Sequence, residues 1–186
     1  MRIIAGYLKG KKILPPKNKN TRPLRDLVKE SLFNIIKHSK NINCEIKNSK
    51  ILDLFSGCGS FGLEAISRDA SQIVFVENYK EAQNVLKTNI KKMQCESKCK
   101  LIEEDCLNFL NNSSAYINFF DVIFLDPPYK YLETNILIEK IISRKILNKN
   151  GLIILHRHKR DESYLTKKMN ILDIRIYGIS KLIFAN

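Results

Sequence analysis

Apolar positions along the chain fall into two different periods. Leu24, Leu27, Val28, Leu32, Ile35 and Ile36 recur at spacings of three, four and eight. That pattern predicts a helix with one buried stripe. Thr21 is its candidate N-cap and Pro23 suits the first turn, while Arg22, Arg25 and Lys29 fall off the stripe. After Lys50 the pattern changes. Short apolar runs appear at 51–55, 73–76, 120–125, 152–155 and 182–184, with a shorter one at 101–102. Between them, Ala82, Val85, Leu86, Ile90 and Met93 make one helical face, and Ile138, Ile141 and Ile142 fit a second. Strands alternating with helices predict a mostly parallel α/β sheet. The tail differs: Ile171, Ile174 and Ile176, then Tyr177-Gly178, then Leu182 to Phe184 read as an antiparallel pair. Residues 1–20 are basic and turn-rich, with Gly6, Gly10, Pro15 and Pro16, and predict an arm or a small hairpin.

Length and composition fit one globular unit. The chain has 186 residues, 44% hydrophobic and 27% charged, which excludes a disordered tail, a collagen-like fibre and a repeat array. No run approaches the roughly 18 apolar residues of a membrane span, so no membrane association is expected. Ile3 to Leu8 is too short for a signal-peptide core. Five cysteines, an odd number without disulfide-framework spacing, point to a reducing cytoplasm. Cys95 and Cys99 form a C-x3-C without a second pair, so no metal is expected.

Charge changes the picture more. Lys+Arg is 32 and Asp+Glu 19, a net of +13. Residues 1–40 hold eleven Lys/Arg against Asp26 and Glu30, or +9 of that total. A concentrated basic excess predicts a polyanionic partner. Arg2, Lys9, Lys11, Arg22 and Arg25 are the candidate phosphate contacts. With about six such contacts, affinity should fall with salt at a slope near −5.

The run from Asp53 through Gly57-Cys58-Gly59 to Gly62 follows the first strand and opens a helix, with Glu77 ending the next strand. G-x-G-x-x-G with a later acid fits a dinucleotide site. Asp53 argues against the dinucleotide, because a carboxylate there would face two pyrophosphate charges at a cost of several kcal/mol. The same carboxylate suits a ligand with a cationic end, and S-adenosylmethionine carries an ammonium, a sulfonium and a ribose diol. Asp105, after the third strand, is a candidate acceptor for an adenine amino group. The candidate cofactor residues are thus Asp53, Phe55, Gly57, Gly59, Glu77, Asp105 and Cys106.

Asp126-Pro127-Pro128-Tyr129 ends the strand FDVIFL and is the most specific feature. Two prolines freeze a loop at the carboxyl edge of the sheet, where α/β proteins bind ligands. An exocyclic amine on a planar base is a poor nucleophile, because its lone pair is delocalised. The Asp126 carboxylate and the Pro127 carbonyl, placed on its N–H groups, would localise that pair. Tyr129 could stack on the base, worth roughly 1–3 kcal/mol. Pre-set orientation can supply on the order of 7–11 kcal/mol of a barrier. These four residues are the candidate catalytic set.

The chain resembles a known family at this point. Asp53–Gly62, Glu77, Asp105 and Asp126–Tyr129 stand in the order of class I S-adenosylmethionine-dependent methyltransferases with an amino-methylating D-P-P-Y loop. The opening Met1 to Gly10, then Thr21-Arg22-Pro23, then Val28 to Asn34, and Tyr177-Gly178 are similar to the RsmD family. The resemblance implies a Rossmann-like, seven-stranded, mostly parallel sheet flanked by helices, with a basic N-terminal arm or hairpin. It implies methylation of the guanine N2 of 16S small-subunit ribosomal RNA by a monomer. Residues 1–45 would be the RNA-binding arm and helix, and 46–186 the methyltransferase domain. The chain departs from the family at Leu24 and Leu27, where the family has other residues, with Arg25 as the substitute cation. It also departs at His156, within a His156–Arg160 run that reads as a solvated loop, or else as a phosphate contact. The rivals are a DNA adenine-N6 methyltransferase, a non-catalytic RNA-binding or assembly protein, and an NAD-dependent oxidoreductase.

Overall fold

The structure is a computed structural model that describes residues 1–16, 24–164, 166 and 168–186. Thr21, Arg22 and Pro23 lie outside the described residues. The first described helix is α1 (Asp26–His38), preceded by Arg25 in an extended conformation. There follow β1 (Lys50–Leu54), α2 (Ser60–Ser67), β2 (Gln72–Val76), α3 (Lys80–Met93), β3 (Cys99–Ile102), α4 (Cys106–Asn111), β4 (Phe120–Leu125), α5 (Thr134–Ser143), β5 (Leu147–His158), β6 (Ile171–Tyr177) and β7 (Ser180–Ala185).

The seven strands form one sheet in the order β3-β2-β1-β4-β5-β7-β6. β1 to β5 pair in parallel, while β7 runs antiparallel to both β5 and β6. The expected mostly parallel sheet with an antiparallel tail is therefore present. The inner strands are buried on both faces, which is why they read as unbroken apolar runs rather than alternations. Alternate residues feed two cores. Leu152 and Ile154 join α1, α2 and α3 on one face, and Ile153 and Leu155 join α4 and α5 on the other. The strand order reverses at β1, between β2 and β4. In open α/β sheets that is where a ligand crevice opens beyond the carboxyl ends.

The stripe of α1 is shifted from the sequence expectation. Leu27 is 68% exposed, whereas Lys29 and Phe33 are buried alongside Val28, Leu32 and Ile36. These positions follow i, i+1, i+4, i+5, i+8, a helical face centred one residue later than the leucines suggest. Lys29 escaped the pattern because a cation reads as surface.

Lys29 is buried because the N-terminal segment needs it. Its Nζ donates to the Arg2 carbonyl at 2.7 Å and lies 3.6 Å from the equally buried Glu64 carboxylate. Glu64 accepts from the Ile4 and Ala5 N–H groups at 2.7 and 3.0 Å and from Arg68 Nε at 2.9 Å. Burial pushes the Lys29 ammonium below its ordinary pKa, and Glu64 opposes that shift. Residues 1–13 form a small hairpin, with Arg2 bridged to Lys12 and the Ile3 and Gly10 N–H groups bonded across it. Ser67 on α2 accepts from Tyr7 N and Leu8 N. Gly6 is left-handed (φ 81°), and a Cβ there would lie 1.6 Å from the Ser67 carbonyl oxygen, so this approach requires glycine. Ile3, Leu8 and Ile13 enter the same core as α1 to α3.

Glu64→Ala should destabilise the protein by about 3–5 kcal/mol, because the buried Lys29 loses its buried counter-charge and keeps only Asp26 at 3.8 Å. Urea denaturation of the variant against the parent measures this.

Candidate active site

The cavity at the reversal of strand order has a volume of about 420 Å³. Four carboxylates line it: Asp53 from the end of β1, Glu77 after β2, Asp105 after β3 and Asp126 after β4. Each comes from the carboxyl end of a neighbouring strand, so parallel pairing alone brings them together. Among the described residues lining the cavity there is no lysine or arginine.

Each carboxylate has a fixed partner. Asp53 is wholly buried and accepts one bond, from Gly62 N at 3.1 Å in the first turn of α2. Burial pushes its carboxyl well above the ordinary range; the Gly62 bond opposes this, and Asp126 and Glu77 push it further up. Glu77 accepts from Gly57 N at 2.7 Å and Tyr79 N at 2.9 Å. Asp105 caps α4 through Oδ1, which accepts from Leu107 N and Asn108 N, so Oδ2 is the oxygen left for a ligand. Asp126 Oδ1 is 2.8 Å from His156 Nδ1.

The glycine loop keeps backbone against this cavity. Gly59 (φ 81°) precedes α2, and a Cβ on it would lie 2.4 Å from Leu86 Cδ1. Phe55 takes a left-handed φ of 59°, rare for an aromatic residue and a local strain at the turn out of β1. Its ring meets Tyr131 edge-on at 5.2 Å. Gly57, Phe55, Pro127, Pro128 and Tyr129 line the cavity with the acids. Gly59 and Cys106 are not among the lining residues. Cys106 is buried at the start of α4, its thiol pushed up by burial. Arg2, Lys9, Lys11 and Arg25 are exposed, while Arg22 lies outside the described residues. Pro16 and Leu24 of the N-terminal region also line the cavity, so that region forms one of its walls.

The first part of the run at 156–160 corrects the sequence reading of a solvated loop, while Lys159 and Arg160 are exposed in a turn. His156 and Arg157 lie within β5, which ends at His158, and are buried, Arg157 completely. Arg157 Nη1 donates to the carbonyls of Pro127 (3.2 Å) and Pro128 (3.0 Å), and Nη2 to those of Tyr129 (3.3 Å) and Tyr131 (2.9 Å). Asp161 pairs with its Nε and Nη2. Burial alone would raise the Asp161 carboxyl, but Ser163 and Arg157 hold it below the ordinary value. A signal for His156 did exist in the sequence. β4 and β5 pair with Leu125 opposite Leu155, so Asp126 falls opposite His156 once the two runs are taken as parallel neighbours.

The donor set fits S-adenosylmethionine. Asp53 is a buried carboxyl whose charged form burial disfavours, and an ammonium or sulfonium beside it would offset that penalty. A pyrophosphate would add negative charge to four acids.

A family model described as Conserved hypothetical protein 95 matches residues 1–186. The Ribosomal RNA small subunit methyltransferase D of Haemophilus influenzae is 33% identical over 180 residues, covering 96% of this chain and 90% of that protein. The protein of the same name from Buchnera aphidicola subspecies Acyrthosiphon pisum is 32% identical, covering 94% and 86%. The crystal structure of a candidate methylase from Haemophilus influenzae superposes with a TM-score of 0.74 at 31% identity, covering 99% of this chain and 96% of that one.

Cofactor affinity should depend on pH through Asp53. A carboxyl whose folded pKa is raised adds stability to the ligand-free protein at low pH and loses it as pH rises through that pKa. A cation beside it favours the carboxylate, so binding releases a proton. Calorimetry should show S-adenosylmethionine binding more tightly as pH rises through the raised pKa of Asp53, and Asp53→Asn should flatten that dependence.

Proposed function

The chain belongs to the Conserved hypothetical protein 95 family, and from that premise we propose that it methylates the exocyclic N2 of a guanine in 16S small-subunit ribosomal RNA. It is an S-adenosylmethionine-dependent ribosomal RNA methyltransferase. The small subunit as the source of the RNA is supported by the names of the relatives from Haemophilus influenzae and Buchnera aphidicola. The acceptor atom is supported by the chemistry of the D-P-P-Y loop and by the resemblance of the N-terminal block.

The observation that carries the reading is Asp126 fixed by His156 in a cavity lined by acids and aromatics. In this reading Asp53, Gly57, Glu77 and Asp105 hold the cofactor, whose chemistry is an electrophilic methyl on sulfur. Asp126 accepts an N–H of the guanine amine, which localises the nitrogen lone pair. The Pro127 carbonyl accepts the second N–H through the lone pair that Arg157 leaves. The Tyr129 ring stacks on the base. Nitrogen gains the methyl in line with the breaking carbon–sulfur bond, and the surplus N–H proton leaves to Asp126 or to water. The target base must leave its stack, which costs least in a loop or single strand. The exposed Arg2, Lys9, Lys11 and Arg25 are the proposed phosphate contacts, with Arg22 beside them in sequence, and the acting species is a monomer.

Labelled methyl transfer to unmethylated small-subunit particles and to free ribosomal RNA, followed by nucleoside analysis, tests this. N2-methylguanosine is the expected product. N6-methyladenosine, or no transfer to RNA, would overturn it. Asp126→Ala should lower kcat by about a hundredfold or more with RNA binding retained. A binder that only keeps the fold would lose nothing. Replacing Arg2, Lys9 and Lys11 together by Ala should make the log–log salt slope of RNA binding shallower by about 2–3.

A further inference from the structure

We infer that His156 and Arg157 are positioning residues for methyl transfer, the one fixing the Asp126 carboxylate and the other fixing the loop that carries it. This rests on the reading of the loop as the amine acceptor site, and goes beyond it to two residues outside the loop. The two are consecutive on β5, so their side chains leave opposite faces of the sheet. His156 continues the face of Leu152 and Ile154, and Arg157 the face of Ile153 and Leu155. The loop is therefore gripped from both sides by one strand.

The grip is built from the geometry of each group. A strand-end loop with two adjacent prolines has lost two N–H donors but keeps every carbonyl. Those carbonyls are near the protein interior and need donors. A guanidinium offers five N–H groups in a rigid plane, and Arg157 spends them on four loop carbonyls and on Asp161. Asp161 supplies the counter-charge that lets a cation sit with no exposure. Lysine has three donors on a flexible stem and no plane, so it cannot reproduce this set.

His156 acts on the other side. Its Nδ1 meets Asp126 Oδ1, while its Nε2 is buried without a hydrogen-bond partner among the described residues. With Nδ1 carrying the proton, that bond occupies one carboxylate oxygen and turns the other to the substrate. Because Pro127 O is already bonded to Arg157, the two proposed acceptors are unequal. Asp126 Oδ2 is the open one, and its aim is set by His156.

The test separates aim from mere packing. His156→Asn puts an amide N–H close to where Nδ1 stands, while His156→Leu fills the space without a donor. His156→Leu should lower kcat by about tenfold to a hundredfold, with KM for RNA and the dissociation constant for S-adenosylmethionine within about twofold. His156→Asn should recover most of that loss. Equal loss in both, or a loss carried by KM, overturns the role of His156. For Arg157, amide hydrogen exchange is read over residues 129–132 without RNA. Arg157→Lys should speed exchange there by about tenfold or more and leave α3 unchanged, with kcat falling in parallel. Should that variant fail to fold, Asp161→Asn keeps the guanidinium and removes its counter-charge, and faster loop exchange is again expected. Unchanged exchange in a folded variant overturns the grip. A parent chain that moves no methyl to RNA would overturn the functional reading and the role of His156 with it, while the exchange contrast, being independent of turnover, still decides the grip by Arg157.

Discussion

Four carboxylates facing one cavity, with no lysine or arginine among its described lining residues, is the constraint on which the site depends. Like charges held a few Å apart at intermediate dielectric cost several kcal/mol, so each must be offset locally. Backbone does most of this. Gly62 N–H in the first turn of α2 serves Asp53, the Gly57 and Tyr79 N–H groups serve Glu77, and the first turn of α4 serves Asp105. Helix N-termini are the natural place for such acids. Asp126 has no such turn and takes His156 instead. A ligand with a cationic end, as S-adenosylmethionine has, complements this lining.

The base-facing half follows from the same sheet. Parallel pairing of β4 with β5 sets Asp126 opposite His156, and the next residue reaches round to the loop carbonyls. The N-terminal hairpin docks on Glu64, Ser67 and Lys29, which fixes the basic segment against α2, and Pro16 and Leu24 beyond it add to the cavity wall.

The inner strands were legible because both of their faces are buried, and so were the acids that follow their apolar runs. Asp53, Glu77 and Asp126 needed only the knowledge that those runs pair in parallel. The burial of Lys29 and Arg157 was not legible, because a charged side chain reads as surface until its partner is known, and that of His156 was legible only once β4 and β5 are taken as parallel neighbours. Those partners lie 35 residues away for Lys29 and 30 for His156. The docking of the hairpin was hidden for the same reason, since Glu64 and Ser67 are about 60 residues from it. Helix α4 escaped notice because it spans six residues, too few to show a period. Leu27 misled because a leucine on the rim of a helix scores as core.

Calorimetric titration of the full chain with S-adenosylmethionine, S-adenosylhomocysteine, 5′-methylthioadenosine and NAD tests the central claim most directly. The first two share the adenosine and the ammonium; the third lacks the ammonium; the fourth brings a pyrophosphate. The carboxylate-lined cavity predicts saturable binding of the first two, about tenfold or more weaker binding of 5′-methylthioadenosine, and no saturable heat with NAD. Binding of NAD as tight as that of S-adenosylmethionine would contradict the account.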